Sequence, residues 1–365
     1  MKFRILIFCL LCTALATQAQ LTMPANGGST KATVAEMIGI TDVTINYGRP
    51  ALHGREGKIW GQLVHEGFMD DASFGKPIKM PWRAGANENT TISFSTDVTI
   101  EGKPLKAGKY GFHVAYYPDR CVLIFSNNTE GWGSYYYDEK DDALRVTVKQ
   151  VPQNNVTERL TYTFSDQTDS SATISLIWEK MAIPFVVSTE LQKLQIASIE
   201  REMNSTKSFD PQTYLTAANY YLEHNIHLDK ALQYAQSATR IFNNFNTSYL
   251  QSNILRKLNR TKEADSVINV ALNKASAQEL NRYGRLLLNE KFYDKAFEVF
   301  KSNHTKHPDE YVTNVGMMRG YSALGNYKKA LQFADKAKAK APDERNKQAI
   351  EKMIVVLKEG KDINS

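Results

Sequence analysis

The sequence predicts a multidomain protein in which an antiparallel β-sandwich precedes an all-α solenoid of four helical repeats. Between about residues 30 and 187, apolar residues alternate with polar ones, which is the period of half-buried strands. Clusters of Gly, Pro, Asn and Asp separate these runs in the manner of turns. From residue 210 onward the apolar spacing becomes helical, and one unit recurs at steps of 33, 32 and 34 residues.

The N-terminal residues predict an export signal. Lys2 and Arg4 precede an apolar run over residues 5–15, and small residues up to Ala19 fit a cleavage site before Gln20. The run is well short of the roughly 20 residues that a membrane-spanning helix needs. We therefore expect residues 1–19 to be a signal peptide and the mature chain to be periplasmic or extracellular, without a membrane span.

The cysteine content and net charge of the mature chain indicate which kinds of protein it can be. Only Cys121 would remain after cleavage, so no internal disulfide can form, and its apolar surroundings predict a core residue rather than a catalytic thiol. The formal charge is +6, and loss of Lys2 and Arg4 with the signal would lower it by two to +4. This mild charge lacks the basic stripe with interleaved aromatics that is typical of nucleic-acid binding, so we expect no nucleic-acid partner.

Four strands are the clearest elements of the predicted β-domain, residues 28–187. Their alternating apolar residues are Val43, Ile45 and Tyr47; Leu144, Val146 and Val148; Leu160, Tyr162 and Phe164; and Ala172, Ile174, Leu176 and Trp178. Turn sequences at residues 101–104, 117–119, 127–128 and 166–171 lie between the predicted strands. Many short strands with such turns predict an antiparallel sandwich. A closed barrel is the alternative, because strand order cannot be read from one sequence.

Residues 188–209 are predicted to connect the two domains. Helical spacing over about residues 189–203 predicts a helix with Ser188 as its N-cap. Asp210 followed by Pro211 is a favourable helix start, so the repeats are predicted to cover residues 210–342. Within residues 343–365, an amphipathic helix from Lys347 to Leu357 is predicted to cover the end of the array.

The four repeats share a packing pattern. A small residue that lets paired helices approach follows a large residue by nine positions: Ala231 after Leu222, Ala264 after Leu255, Ala296 after Leu287, and Ala330 after Tyr321. A second small column holds Ala238, Ala271 and Ala337, with Asn303 in the remaining place. This pattern resembles the tetratricopeptide repeat family. The resemblance implies stacked helix pairs with a concave surface that docks a protein or peptide.

The most distinctive stretch of the β-domain is residues 81–91, which place Trp82, Arg83, Asn87 and Glu88 on a Gly-containing loop before a strand. Together with residues 47–50, 54–55, 105–110 and 141–145, this stretch resembles a secreted bacterial family described as a domain of unknown function, DUF2911. The resemblance covers roughly residues 28–187. It implies a β-rich fold and an extracytoplasmic setting, and it brings no activity.

The β-domain offers one candidate ligand-binding set. Its members are Arg49, Arg55, Trp82, Arg83, Asn87 and Glu88. The flat face of a tryptophan and the donor fork of an arginine suit carboxylates or sugars, and loops on rigid scaffolds often present such groups. The same residues also fit a structural role, in which Arg83 pairs with Glu88, Asn87 bonds the turn and Trp82 fills the sandwich.

The sequence does not decide whether the protein is an enzyme, but it favours a binding protein. No second carboxylate can be placed beside Glu88, and His53, His65 and His113 lack metal-ligand spacing. No phosphate-binding loop or nucleophile motif occurs in the sequence, so catalytic residues stay unassigned and we expect no metal and no cofactor.

The favoured hypothesis is a secreted envelope protein whose repeats dock a protein or peptide. One alternative is an envelope hydrolase of a glycan or peptide, with a loop site around Arg83 and Glu88. The other is a carbohydrate-binding module, in which Tyr135, Tyr136 and Tyr137 alternate across the two faces of a strand so that one face is open to a glycan.

Overall fold

The computed structural model describes residues 28–71 and 78–364. The chain divides into two compact units between Ser198 and Ile199, within the segment predicted to connect the domains. The predicted signal peptide, residues 1–19, lies outside the described residues. Among the described residues, no helix combines the length and the apolar content that crossing a membrane requires.

The first unit is built from antiparallel strands. In the described residues they are β1 (Thr30–Ile38), β2 (Thr41–Arg49), β3 (Met69–Asp71), β4 (Ile78–Met80), β5 (Thr91–Phe94), β6 (Val98–Ile100), β7 (Lys103–Leu105), β8 (Gly108–Tyr117), β9 (Arg120–Ser126), β10 (Asp142–Val148), β11 (Val151–Ser165) and β12 (Ser171–Ser188). One sheet has the order β1, β2, β5, β8, β9, β10, and a second has the order β11, β12, β6, β7. β3 and β4 form a separate pair.

The two main sheets share one apolar core, which makes this unit a sandwich and not the closed barrel considered as the alternative. Phe112 of β8 lies 5.7 Å from Phe185 of β12, measured between ring centroids. Tyr47 of β2 meets Tyr162 of β11 edge to face at 4.7 Å. Aromatic side chains from both sheets thus interdigitate across the middle of the unit.

A bulge in β12 changes which residues face the core. The most deeply buried apolar positions, with at most 1% of their surface exposed, are Ala172, Ile174, Leu176 and Trp178 before the bulge, and Ile183, Phe185 and Val187 after it. The change of phase occurs at Glu179, whose backbone is left-handed with φ of 56°. The pairing of β12 with β11 shifts register on both sides of the Thr157–Glu179 pair. Such bulges redirect side chains without ending a strand.

Ten α-helices follow β12 in the part of the chain that the structure describes. They are α1 (Leu191–Met203), α2 (Pro211–Glu223), α3 (Leu228–Ile241), α4 (Phe245–Lys257), α5 (Thr261–Lys274), α6 (Ala277–Asn289), α7 (Tyr293–Lys306), α8 (Tyr311–Ala323), α9 (Tyr327–Ala339) and α10 (Glu344–Lys358). Helices α2 to α9 form the four consecutive pairs that the recurrence predicts.

Two predicted helix starts have different outcomes. Asp210 caps α2 as predicted, because its carboxylate accepts a 2.9 Å hydrogen bond from the backbone N–H of Gln212 and Pro211 occupies the first turn. The N-cap prediction for Ser188 is wrong. Ser188 is the last residue of β12 and pairs with Thr99 of β6, so sheet pairing holds it extended until α1 begins at Leu191.

The recurring small residues lie inside the array. Ala231, Ala264, Ala296 and Ala330 have no exposed surface. Of their larger partners, Leu255 and Leu287 are buried, whereas Leu222 and Tyr321 are half-buried. Asn303, the polar member of the second small column, is fully buried and donates a 2.8 Å hydrogen bond to the carbonyl of Ala277. At the C-terminal end of the array, Ile350 and Leu357 of α10 pack into one cluster with residues of α9.

Candidate functional site

The loop of residues 81–91 lies against the end of β2. The backbone N–H of Ala86 donates a 3.2 Å hydrogen bond to the carbonyl of Gly48. The two backbones are so close that a Cβ atom on Gly48 would lie 1.8 Å from the carbonyl oxygen of Ala86. Ala84 and Asn87 both have left-handed backbones, with φ of 50° and 65°. The loop is therefore held tightly in one conformation.

Trp82 belongs to the sandwich core. It is 9% exposed, and its backbone pairs with Val114 in an isolated antiparallel bridge. Its ring stacks on Trp178 at a centroid distance of 6.2 Å and meets the edge of Trp60 at 5.7 Å. The side chain thus takes the structural position that the sequence left as an alternative to ligand binding.

Arg83 ties two loops together. Its guanidinium donates a 2.8 Å hydrogen bond to the backbone carbonyl of Asn87, so the structure brings these two predicted residues into contact. The guanidinium carbon also lies 5.4 Å from the ring centroid of Tyr135, in the loop between β9 and β10. Gly133 of that loop is packed so closely that a Cβ atom there would lie 2.4 Å from the guanidinium.

Glu88 pairs with Lys31 of β1 at 2.6 Å, and the ion pair with Arg83 suggested by the sequence does not form. The Arg83 guanidinium instead binds the carbonyl of Asn87, and the partner of Glu88 comes from β1. The hydrogen bond from Lys31 lowers the pKa of Glu88. A carboxylate with a lowered pKa is poorly suited to act as a general acid near neutral pH.

Arg49 and Arg55 are bound to the backbone. Arg49 Nε donates a 3.0 Å hydrogen bond to the carbonyl of Leu160 on β11. Arg55 donates two hydrogen bonds of 2.8 Å, one to the carbonyl of Leu52 and one to that of Ala51. Five of the six predicted side chains therefore have contacts of their own within the sandwich, and Asn87 takes part through its backbone carbonyl, which Arg83 binds.

A buried polar pair that the sequence analysis missed lies under the loop of residues 127–141. His113 of β8 is 2% exposed, and its Nδ1 lies 3.2 Å from the hydroxyl of Ser134, which is 4% exposed. Burial, together with the charge of Arg83, lowers the pKa of His113 to about 4. The pair has the chemistry of a nucleophile and its base, but its burial leaves no room for a substrate at the hydroxyl.

A second network anchors the same loop. The Tyr137 hydroxyl donates to Asp142 at 2.8 Å and accepts from Arg145 at 2.6 Å, and Arg145 also donates to Asp142 at 2.5 Å. Burial raises the pKa of both Tyr137 and Asp142. These contacts fold residues 133–136 into turns, so the strand predicted for the three consecutive tyrosines is wrong. The carbohydrate-binding alternative loses the strand face on which it depended.

The contacts that were missed join residues far apart in sequence. His113 and Ser134 are separated by 21 positions and belong to different elements.

Cys121 is fully buried in β9, which is the core position that the sequence predicts. Burial raises the pKa of its thiol to about 12. Among the described residues, no group of three or more His, Cys, Asp or Glu side chains is placed to hold a metal ion.

The helical unit contains a cavity of about 540 Å³ along α4 and α6, the first helices of the second and third repeats. Its apolar lining consists of Leu222, Tyr249, Tyr283, Leu286, Leu287 and Phe292. Its polar lining consists of Asn253, Arg256, Lys257, Glu290 and Lys295. The Tyr249 and Tyr283 rings meet edge to face at 5.7 Å, which holds both aromatic side chains in place.

The polar lining has unused binding capacity. Arg256 is paired with Asp265 at 2.5 Å. Lys257 and Lys295 form no ion pair with any described residue, and the side-chain amide of Asn253 makes no hydrogen bond within the described part of the chain. Lys295 Nζ lies 5.6 Å from the ring centroid of Phe292. The lining therefore holds two ammonium groups without an ion pair and one carboxylate, that of Glu290, around apolar side chains.

Comparison with protein families finds a match for the N-terminal half of the chain. Residues 29–187 match the family model described as Protein of unknown function (DUF2911). This confirms the family resemblance of the N-terminal half. No curated protein is found to match the chain.

The helical part is similar to solved structures of repeat proteins. The structure titled "Crystal structure of YrrB: a TPR protein with an unusual peptide-binding site" is 23% identical over 43% of this chain and 86% of that chain, with a TM-score of 0.28. MamA from Desulfovibrio magneticus RS-1 is 17% identical over 41% of this chain and 93% of that chain, with a TM-score of 0.26.

Proposed function

We propose that this protein is an exported binding protein whose helical array docks an extended segment of another protein in the cavity along α4 and α6. One observation carries the proposal. The cavity combines an apolar floor with an unused amide and unpaired ammonium groups at its edge. Apolar pockets with a few polar groups are the usual form of a recognition site.

The apolar and the polar lining of the cavity suit different parts of such a segment. A volume of about 540 Å³ accommodates a large apolar side chain among Tyr249, Tyr283 and Leu287. Above it, the amide of Asn253 offers both a donor and an acceptor, which is what the backbone of an extended chain requires.

The charges define the occupant further. The lining contains two lysines, Lys257 and Lys295, that have no ion-pair partner among the described residues. Their two positive charges outnumber the one negative charge of Glu290. We therefore infer that the bound segment carries a large apolar residue next to acidic residues. Complementary charges of this kind raise the association rate and select against basic partners.

Binding of such a segment is expected to depend on the two unpaired lysines. A display library of random peptides selected on the purified protein should yield sequences with a large apolar residue beside Asp or Glu. The substitutions Lys257→Glu and Lys295→Glu should each weaken binding of a selected peptide by about tenfold at low salt, and by less at high salt, because salt screens exposed charges.

Lys328→Glu is the matched control, because it makes the same charge change on an exposed lysine of α9 that does not line the cavity. It should leave the affinity unchanged. If all three substitutions weaken binding equally, the net charge of the protein, and not the position of the lysines in the cavity, determines the affinity. Selected peptides without acidic residues would contradict the inferred chemistry of the occupant.

Export is the second part of the proposal, and it rests on the basic, apolar and small residues at the N-terminus. When the gene is expressed in a bacterium with a functional secretion system, the protein should leave the cytoplasm with a mass that corresponds to a chain starting at Gln20. Recovery of the full-length chain in the cytoplasm alone would overturn this part and leave the proposed docking site intact.

A further inference from the structure

A second cavity, separate from the proposed docking site, lies in the sandwich unit. It has a volume of about 300 Å³ and is lined by Glu56, Gly57, Trp60, Glu179, Lys180 and Met181. Two elements form it: the turn-rich segment that follows β2 and the bulge of β12 at Glu179. A volume near 300 Å³ is at the small end of ligand sites, so it suits a small ligand or a single head group.

Glu179 is a buried carboxylate without a cationic partner. It is 8% exposed, and the bulge directs it toward the segment after β2, where the backbone N–H of Gly57 donates to its Oε1. No ion pair joins Glu179 to any cation in residues 28–71 or 78–364. Buried carboxylates in proteins are usually paired, so a positively charged ligand in this cavity would give Glu179 the partner that it lacks among the described residues.

Trp60 supplies a fixed aromatic wall to the same cavity. Its ring meets the edges of Trp82 at 5.7 Å and Trp178 at 6.5 Å, and packs at a tilt against Tyr116 at 5.3 Å. These rings hold the indole in one orientation, while Trp60 itself remains partly exposed at the cavity. The face of an indole is the best aromatic surface for a cation.

The remaining lining residues leave the cavity negatively charged. Glu56 is exposed at the edge of the cavity, and Lys180 is the only cation in its lining. Lys180 pairs with neither carboxylate in the described structure. Two carboxylates supply few of the six to eight oxygen ligands that Ca²⁺ takes, and the described residues contain no group of three or more His, Cys, Asp or Glu side chains placed to hold a metal ion. The combination of a carboxylate with an aromatic face instead suits an organic cation.

We propose that this cavity binds a small organic ammonium ion, with its positive charge between the Glu179 carboxylate and the Trp60 indole. The ammonium group would neutralise the buried charge of Glu179, and its alkyl groups would contact Trp60 and Met181. This site is independent of the array cavity, so either proposal can fail without the other.

The test uses choline chloride as the probe and 3,3-dimethylbutan-1-ol as its control, because this alcohol has the shape of choline without the charge. Isothermal titration of the full chain should show saturable binding of choline and at least about tenfold weaker binding of the alcohol. Glu179→Gln should weaken choline binding by about tenfold or more while keeping a carbonyl oxygen for the Gly57 N–H. Glu130→Gln, on an exposed carboxylate outside the cavity, should have no effect.

Glu56→Gln provides a second variant if Glu179→Gln fails to fold, because Glu56 is exposed and its neutralisation should weaken choline binding without affecting stability. The proposal is overturned if the alcohol binds as well as choline, or if both glutamine variants bind choline like the unmodified protein. It is also overturned if tens of millimolar choline give no saturable signal.

Discussion

Replacing Gly48 with alanine should destabilise the sandwich by about 3 kcal/mol, the upper end of the usual cost of overpacking. The new methyl group would lie 1.8 Å from the carbonyl oxygen of Ala86 and 2.7 Å from its carbonyl carbon. Both are backbone atoms, so no flexible side chain can move aside. The loop cannot retreat easily either, because the backbone of Trp82 pairs with Val114 of β8 and the Arg83 guanidinium lies over the ring of Tyr135. The clash must therefore separate β2 from the loop of residues 81–91.

The free energy of unfolding of the sandwich can be followed on its own, because all four tryptophans of the chain lie in the first unit. Denaturant titration monitored by tryptophan fluorescence should show a large decrease in the free energy of unfolding for Gly48→Ala. Gly131→Ala is the matched control, since the nearest atom to a Cβ there is 3.6 Å away, an ordinary contact. Similar midpoints for the two variants would show that the close approach of β2 and the loop is not needed for stability.

Phe300→Ala should destabilise the helical array by about 3 to 5 kcal/mol. Phe300 of α7 is fully buried. Its ring packs against three glycines, Gly284 of α6 and Gly316 and Gly320 of α8, and we call this arrangement the glycine socket. A Cβ atom on Gly284 would lie 2.3 Å from the Phe300 ring, and one on Gly316 would lie 2.7 Å from it. The ring is therefore confined from both neighbouring helices.

Gly284→Ala should also be destabilising, and the two sites should be coupled. When Phe300→Leu is combined with Gly284→Ala, the smaller side chain relieves the clash, so the loss should be less than the sum of the single losses by more than about 0.5 kcal/mol. Circular dichroism of the helices measures these changes. Phe209→Ala serves as control, because Phe209 is 84% exposed and should contribute less than about 0.5 kcal/mol. If the loss in free energy of unfolding of the double variant equals the sum of the two single losses, Gly284 does not confine the Phe300 ring.

The helical half could be predicted closely because its signals are local. Each repeat places a small residue at a fixed distance from a large one, and the Asp210–Pro211 start acts through neighbouring residues. The glycine socket of Phe300 was not predicted. It joins three helices, and glycine within a helix is by itself a sign of instability rather than of packing.

The sandwich was predictable as a fold class but not in its pairing. Alternation identified β2, β10, the C-terminal part of β11 and the first part of β12. The pairing of Ile45 with Ile92, or of Val187 with Ile100, depends on contacts between distant segments. The bulge at Glu179 also reverses the inward phase of β12, a change that a periodic pattern does not reveal.

The candidate site residues show the same limit. Trp82, Arg83 and Glu88 were selected for their chemistry, yet their partners Trp178, Tyr135 and Lys31 come from other elements of the fold. The tyrosines of residues 135–137 have strand propensity, but the Tyr137 network with Asp142 and Arg145 holds their segment in turns. Tertiary contacts thus override local preference at these positions.

Photo-crosslinking from the array cavity tests the central claim most directly. The photoreactive residue p-benzoylphenylalanine would be placed at position 290, an exposed position in the cavity lining, or at position 328, outside its lining. With a peptide selected on the unmodified protein, position 290 should crosslink efficiently and position 328 should not. Equal crosslinking from both positions, or crosslinking from position 328 alone, would contradict docking in the cavity along α4 and α6.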